Sequence, residues 1–167
     1  MKDHSLEVHG CHTYDATGAI SPSICLSATF RHPRFGESTG YDYGRVANPT
    51  RESLEKTVAL LERGGRSWAL SSGMAAVQLV FSLLSAGDHV LMSEDLYGGT
   101  VRLAEEVFAG YGITFEYVDV RDLALVGKRM RPETKLVFIE TPSNPMMQIS
   151  DIAALSALAH ENGALLA

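Results

Sequence analysis

From Trp68 onward, short apolar runs alternate with segments of helical period, and this alternation restricts the fold more than any other feature. Residues 68–70, 89–92, 113–118, 135–139 and 164–167 read as strands, being β-branched or apolar and bounded by turn formers. Ser71-Ser72-Gly73 turns into an apolar helix reaching Leu84, and a second helix is predicted from about Thr100 to Phe108. Ser150 is placed to cap a third, with Ile152, Leu155, Leu158 and Ala159 on one face and Gly163 at its end. Strands separated by helices need crossover connections, so the predicted class is α/β: a mainly parallel sheet with helices on both faces. Upstream, Thr50 is the expected cap of a helix running to about Arg63, with Leu54, Val58 and Leu61 on one face and Gly64-Gly65 stopping it. Residues 1–49 have little periodicity and read as an extended arm, so the predicted division is 1–49 and 50–167.

Composition removes several functional classes. At 167 residues the chain can hold one core, or one domain plus an arm, and 46% hydrophobic with 20% charged residues is ordinary for a globular protein. A net charge of -6 argues against a nucleic-acid partner, which needs clustered Lys and Arg. Cys11 and Cys25 do not make a disulfide framework. The start lacks a signal-like apolar core, and the apolar stretch 74–84 is interrupted by Gln78 and Ser82 and too short to span a bilayer. No membrane partner and a cytoplasmic location are therefore expected. His9, Cys11, His12 and Cys25 fit no zinc spacing, so no metal is expected, and no Gly-x-Ser-x-Gly elbow marks a serine nucleophile.

In open parallel sheets ligands sit beyond the carboxyl ends of the strands. Residues 71–74, 93–100, Asp119 and 140–145 all fall there. Ser72-Gly73-Met74 opens a helix, where unpaired N–H groups and the helix dipole suit a phosphate; a plain capped turn is the alternative. Tyr97-Gly98-Gly99 leaves open space over a ring that could stack on a flat ligand, unless Tyr97 is a half-buried core residue. Asn144, held between Pro142 and Pro145, offers a donor and an acceptor, unless it only closes an Asx turn. Tyr43 and Arg45 put a phenol and a guanidinium two residues apart in an extended segment, a second half for a phosphate clamp.

Four ordered motifs together resemble the pyridoxal-phosphate enzymes of cysteine and methionine metabolism. These are Tyr43-Gly44-Arg45 with Asn48-Pro49-Thr50; Ser71-Ser72-Gly73-Met74-Ala75; Asp95-Leu96-Tyr97-Gly98-Gly99-Thr100; and Glu140-Thr141-Pro142-Ser143-Asn144-Pro145. The resemblance runs from about His9 to the end and implies the aspartate-aminotransferase fold (fold type I), with pyridoxal 5'-phosphate as cofactor. It implies that Gly73 and Met74 bind the cofactor phosphate, that Tyr43 and Arg45 reach it from a neighbouring subunit, that Tyr97 stacks on the ring and shuttles a proton, and that Asn144 bonds the ring 3-oxygen. Tyr43 would also lie near the substrate's γ position.

The implied activity is γ-replacement or γ-elimination on homoserine esters, cystathionine or methionine, as in cystathionine γ-synthase and γ-lyase. Acyl-homoserine sulfhydrylase and methionine γ-lyase are the alternatives, and Gly99, where methionine γ-lyases carry a cysteine, argues against the latter. Shared sites imply a homodimer or homotetramer acting on a small amino-acid substrate. The family's cofactor lysine, its aspartate on the pyridine nitrogen and its C-terminal domain all follow the position where this chain ends. The expectation is therefore an incomplete large domain, inactive alone. A different class of reading is a non-catalytic remnant that dimerises and weakly binds phosphate.

Overall fold

The computed structural model describes Gly10 and residues 18–167. It forms two compact units, Met1–Leu70 and Ser71–Ala167.

In the first unit, helix α1 spans Pro49–Leu61. Its cap is Asn48, not the expected Thr50: Asn48 Oδ1 accepts from Thr50 N at 2.9 Å, and Pro49 takes the first helical position, where no N–H is needed. Thr50 has another task. Its hydroxyl oxygen accepts from Cys25 N at 2.8 Å, while Asn48 Nδ2 donates to Cys25 O at 3.2 Å, so the Asn-Pro-Thr motif ties the arm to the helix start. Arg51 donates to the carbonyls of Gly44 (3.3 Å) and Val46 (2.8 Å) and holds the Tyr43–Val46 turn. Gly44 is needed for close approach, since a Cβ there would stand 2.9 Å from Ser27 O. Leu54, Val58 and Leu61, which share one face, are all exposed, and Ser53 is the buried residue of α1.

Residues 68–70 form no strand, contrary to the sequence pattern. No strand among the described residues pairs with them, so Trp68 and Leu70 stay exposed. Instead Glu55 holds the segment, its side chain accepting from Ala69 N at 2.9 Å and its carbonyl from Ser67 Oγ at 2.5 Å.

The second unit is a four-stranded sheet of β1 (His89–Ser93), β2 (Thr114–Val118), β3 (Thr134–Phe138) and β4 (Leu165–Leu166), in spatial order β2-β1-β3-β4. Every pairing is parallel. β1 is buried along its whole length, as a central parallel strand must be when helices cover both faces. On one face Val90 and Met92 pack with Phe81 of α2 (Gly73–Phe81) and with Ala104 and Phe108. On the other face Leu91 and Val137 pack with Val126 of α4 (Leu123–Arg129) and with Leu155 and Ala159 of α5 (Ile152–Glu161). α2 stops at Phe81, short of the expected Leu84. Helix α4 was not signalled by periodicity, because its seven residues give too few turns to show one. The cap of α5 is Asp151, which accepts from Ala154 N at 3.0 Å; Ser150 lies one residue too early and is buried instead.

The predicted helix 100–108 is three segments: α3 (Gly98–Arg102), a π turn (Leu103–Val107) and a 3-10 turn (Phe108–Tyr111). The reason is spacing. Leu96, Thr100, Ala104 and Phe108 are buried at strict four-residue intervals. On an α-helix that row drifts by about 40° per step, and a wider π turn cancels the drift.

His89 lies at the amino end of β1 and is 1% exposed. Thr134 Oγ1 accepts from Arg131 N at 2.8 Å and shares a second hydrogen bond, also of 2.8 Å, with His89 Nδ1. Nε2 is left 3.5 Å from Glu116 Oε2, too long and poorly aimed to satisfy it. Burial, then the charge of Arg131, holds the His89 pKa below its usual value, outweighing the opposing pull of Glu116 and Glu133. The neutral ring therefore favours the fold. Below about pH 6.5 the unfolded chain takes up a proton that the folded chain refuses, so this stability is present above that pH and lost as pH falls. Melting temperatures measured from pH 7 to pH 5 are expected to drop less steeply in His89→Gln than in the parent; parallel slopes would refute the assignment.

Candidate active site

The chain leaves β1 for β2 on one side and returns to β3 on the other, so the topological switch lies between the carboxyl ends of β1 and β3. A cavity of about 490 Å³ opens there. α2 contributes Ser72, Gly73, Met74 and Val77; the segment after β1 contributes Tyr97 and Thr100; β3 and its exit contribute Phe138, Ile139 and Glu140.

The start of α2 is built to expose N–H groups. Ser72 is extended (φ -163°), its Oγ accepts from Ala75 N at 3.1 Å and its carbonyl from Ala76 N at 3.2 Å. That leaves the amides of Gly73 and Met74 with no intrahelical acceptor, at the positive end of the helix dipole. Gly73 does not have a left-handed φ, and a Cβ placed on it would meet no atom within 4 Å. Neither backbone conformation nor packing within the protein demands a glycine there. What the missing side chain leaves is open space beside two free donors, which fits an anionic group of the cofactor the motifs imply.

Tyr97 lines the same cavity and is 49% exposed. The expectation of open space over its ring needs correction. A Cβ on Gly99 would stand 2.4 Å from Tyr97 Cε1 and 3.1 Å from Met74 Sδ. Gly99 thus makes room for the Tyr97 ring and the Met74 sulfur, and only Gly98 faces open space. Tyr97 N donates to Glu140 Oε2 at 3.0 Å, so the carboxylate in the cavity wall is engaged by backbone.

Asn144 is exposed, is not among the residues lining the cavity, and makes no hydrogen bond through its carboxamide among the described residues. It closes no Asx turn. The peptide bonds Thr141–Pro142 and Asn144–Pro145 on either side are cis. Asp119 does not join the site. Arg121 binds its two carboxylate oxygens at 2.8 and 2.7 Å and holds its pKa below the usual range, and β2 lies on the far side of β1 from the switch.

Tyr43 and Arg45 belong to the first unit. Tyr43 forms an isolated antiparallel bridge with Thr29, and the Arg45 guanidinium sits 4.9 Å from the centre of the Tyr43 ring. Arg45 makes no ion pair among the described residues and is exposed. Of the lysines, Lys56 pairs with Glu52 at 2.7 Å, Lys135 reaches Pro132 O at 3.3 Å, and Lys128 is exposed; none of the three lines the cavity. Lys2 and the residues His9, Cys11 and His12 lie outside the described residues.

Asp95, Thr100 and Glu140 lay within the sequence motifs but were given no role there. Thr100 is buried in the cavity wall, and the two acids fix loops. Besides membership of those motifs, their signal was position, immediately past the ends of β1 and β3.

Residues 4–167 match the model of the Cys/Met metabolism PLP-dependent enzyme family. The chain belongs to this family. Its relatives include the cystathionine gamma-synthase/O-acetylhomoserine (thiol)-lyase of Bacillus subtilis, 47% identical over 91% of this chain and 41% of the relative. The cystathionine gamma-lyase of the same organism is 44% identical over 99% of this chain and 44% of its own length. Among solved structures, cystathionine gamma-lyase from Lactobacillus plantarum, complexed with L-serine, superposes with a TM-score of 0.93 at 45% identity. The match covers 99% of this chain and 44% of that one. This member of the Cys/Met metabolism family thus spans less than half the length of the relatives it matches, and its parallel sheet is the fold type I sheet of those PLP enzymes. No helix among the described residues is long and apolar enough to cross a membrane.

Proposed function

We propose that this chain is the cofactor-cradling part of a pyridoxal-phosphate-dependent transsulfuration enzyme, working by γ-replacement or γ-elimination in the manner of cystathionine γ-synthase and γ-lyase. The observation that carries the reading is the pair of free amides on Gly73 and Met74, beside an open glycine, in a cavity at the topological switch. These amides hold the cofactor phosphate. Arg45 of a second copy closes over the same group with a fork of donors matched to phosphate oxygens, and Tyr43 stands beside it. Residues 1–49 act as the arm that reaches that copy, so the working form is a dimer or a tetramer in the cytoplasm.

Bound there, the cofactor supplies an electron sink for carbanion chemistry on an amino acid. This chain's own residues bind and orient it. Tyr97 covers the ring and is placed to move a proton through its phenol oxygen. Asn144 directs its free carboxamide to the ring oxygen. Tyr43 lies toward the substrate's γ substituent.

The test is binding of pyridoxal phosphate followed by absorbance, in competition with inorganic phosphate. Saturable binding that phosphate displaces is expected; absence of binding, or binding indifferent to phosphate, would refute the cradle. Arg45→Ala is expected to weaken binding about tenfold, near 1.4 kcal/mol, the loss of a hydrogen bond to a charged group. Unchanged retention in this variant would remove Arg45 from the site.

A further inference from the structure

We propose that Asp95 is a positioning residue of this site, whose carboxylate ties the loop after β1 to the loop after β3 and thereby sets the place of Asn144. Asp95 Oδ2 accepts from Ser143 Oγ and from Met146 N, the latter at 3.0 Å. Ser143 is 3% exposed. Its hydroxyl oxygen accepts in turn from Gln148 N at 2.9 Å, its own N–H donates to Gln148 O at 3.0 Å, and its carbonyl accepts from Met147 N at 3.0 Å. Asn144 sits inside this knot, with Ser143 fixed before it and Met146 fixed after it, while its own side chain bonds to nothing among the described residues.

A side chain meant for a ligand needs this arrangement: its backbone is held from both sides and its polar atoms are left free. The tie also runs the other way, since Glu140 accepts from Tyr97 N at 3.0 Å. Each of the two loops at the switch therefore sends one carboxylate to the other, and each carboxylate fixes the backbone beside a residue assigned to the cofactor. Asp95 makes no ion pair among the described residues, so its acceptor capacity serves the loop.

The inference rests on the proposed contact between Asn144 and pyridoxal phosphate, and two readouts separate its failure from failure of that reading. The first is hydrogen exchange of the unliganded protein. In Asp95→Ala the amides of Met146 and Gln148 are expected to exchange at least tenfold faster, with those of β1 and β3 unchanged. The second is the pH midpoint of the bound cofactor's absorption, which a hydrogen bond to the ring oxygen shifts. Asp95→Ala and Asn144→Ala are expected to move it in the same direction, the double variant no further than Asn144→Ala alone, and Asp95→Asn, which keeps one acceptor, to restore part of the shift.

Should Asp95→Ala fail to fold, Asp95→Asn and Ser143→Ala carry both readouts. Unchanged exchange overturns the proposal whatever the cofactor does. Faster exchange with additive midpoint shifts makes Asp95 a structural residue only and also overturns it. A midpoint indifferent to Asn144→Ala, or a parent protein that binds no cofactor, refutes the underlying reading, and the positioning role falls with it.

Discussion

Gly73→Ala is expected to leave folding intact and to cost at least tenfold in affinity for pyridoxal phosphate. The two halves of this result have separate causes. A Cβ at position 73 meets no protein atom within 4 Å, and the residue opens a helix with an ordinary φ. Alanine also loses less backbone entropy than glycine on ordering in a helix, by up to about 0.5–1 kcal/mol, so the melting temperature should hold or rise. The added methyl group nevertheless occupies the space from which an anion reaches the Gly73 and Met74 amides. Hydrogen bonds to a charged group are worth about 1.5–3 kcal/mol each, so weakening even one gives roughly a tenfold loss or more. Thermal melting and titration with the cofactor measure both halves. An affinity equal to that of the parent would mean that nothing binds against this helix start.

Phe81→Ala is expected to have the opposite profile, with loss of the fold itself. Phe81 is fully buried, with its ring centre 5.5 Å from Phe108, 5.5 Å from Phe115 and 5.3 Å from Phe138. It is the point at which α2, the segment after α3, β2 and β3 meet. Truncating a ring in such a place costs about 3–5 kcal/mol, from lost transfer energy and from the cavity left behind. Whole domains are stable by about 5–15 kcal/mol, so the variant should be largely unfolded or retain only a loosened core. Urea unfolding followed by near-ultraviolet dichroism would show it; a loss below about 1 kcal/mol would mean that the four elements do not share one core. Cofactor binding should disappear together with the tertiary signal, whereas in Gly73→Ala it weakens while the tertiary signal stays.

The contrast between these residues shows what could be read before any coordinates. Ser72-Gly73 was legible as a helix start because capping is local: the hydroxyl that accepts from Ala75 N lies three residues from its donor. The strands β1, β2 and β3 were legible for the same reason, since an apolar run bounded by turn formers declares itself. Trp68-Ala69-Leu70 had the same apolar pattern and formed no strand, because a strand also needs a neighbour and none is offered among the described residues. Leu54, Val58 and Leu61 had the right period and remained exposed, because period says which residues share a face and not what covers it. The caps of α1 and α5 were each missed by one or two residues, the usual slack where Thr50 competes with Asn48 and Ser150 with Asp151.

Taken alone, the order of amino acids determined the α/β class, the parallel direction of the strands, the start of α2 and the four motifs that mark the family. All of these depend on residues within a few positions of one another. Three-dimensional packing decided the rest. It chose the strand order β2-β1-β3-β4, which puts the switch between β1 and β3 and leaves Asp119 outside the site. It widened the helix after Tyr97 into a π turn so that Ala104 and Phe108 both face the sheet. It brought Asp95 to Ser143 across 48 residues and Tyr97 to Glu140 across 43. Local propensity carries no information over such separations; those pairs exist because two strands lie side by side and their exits share one small space.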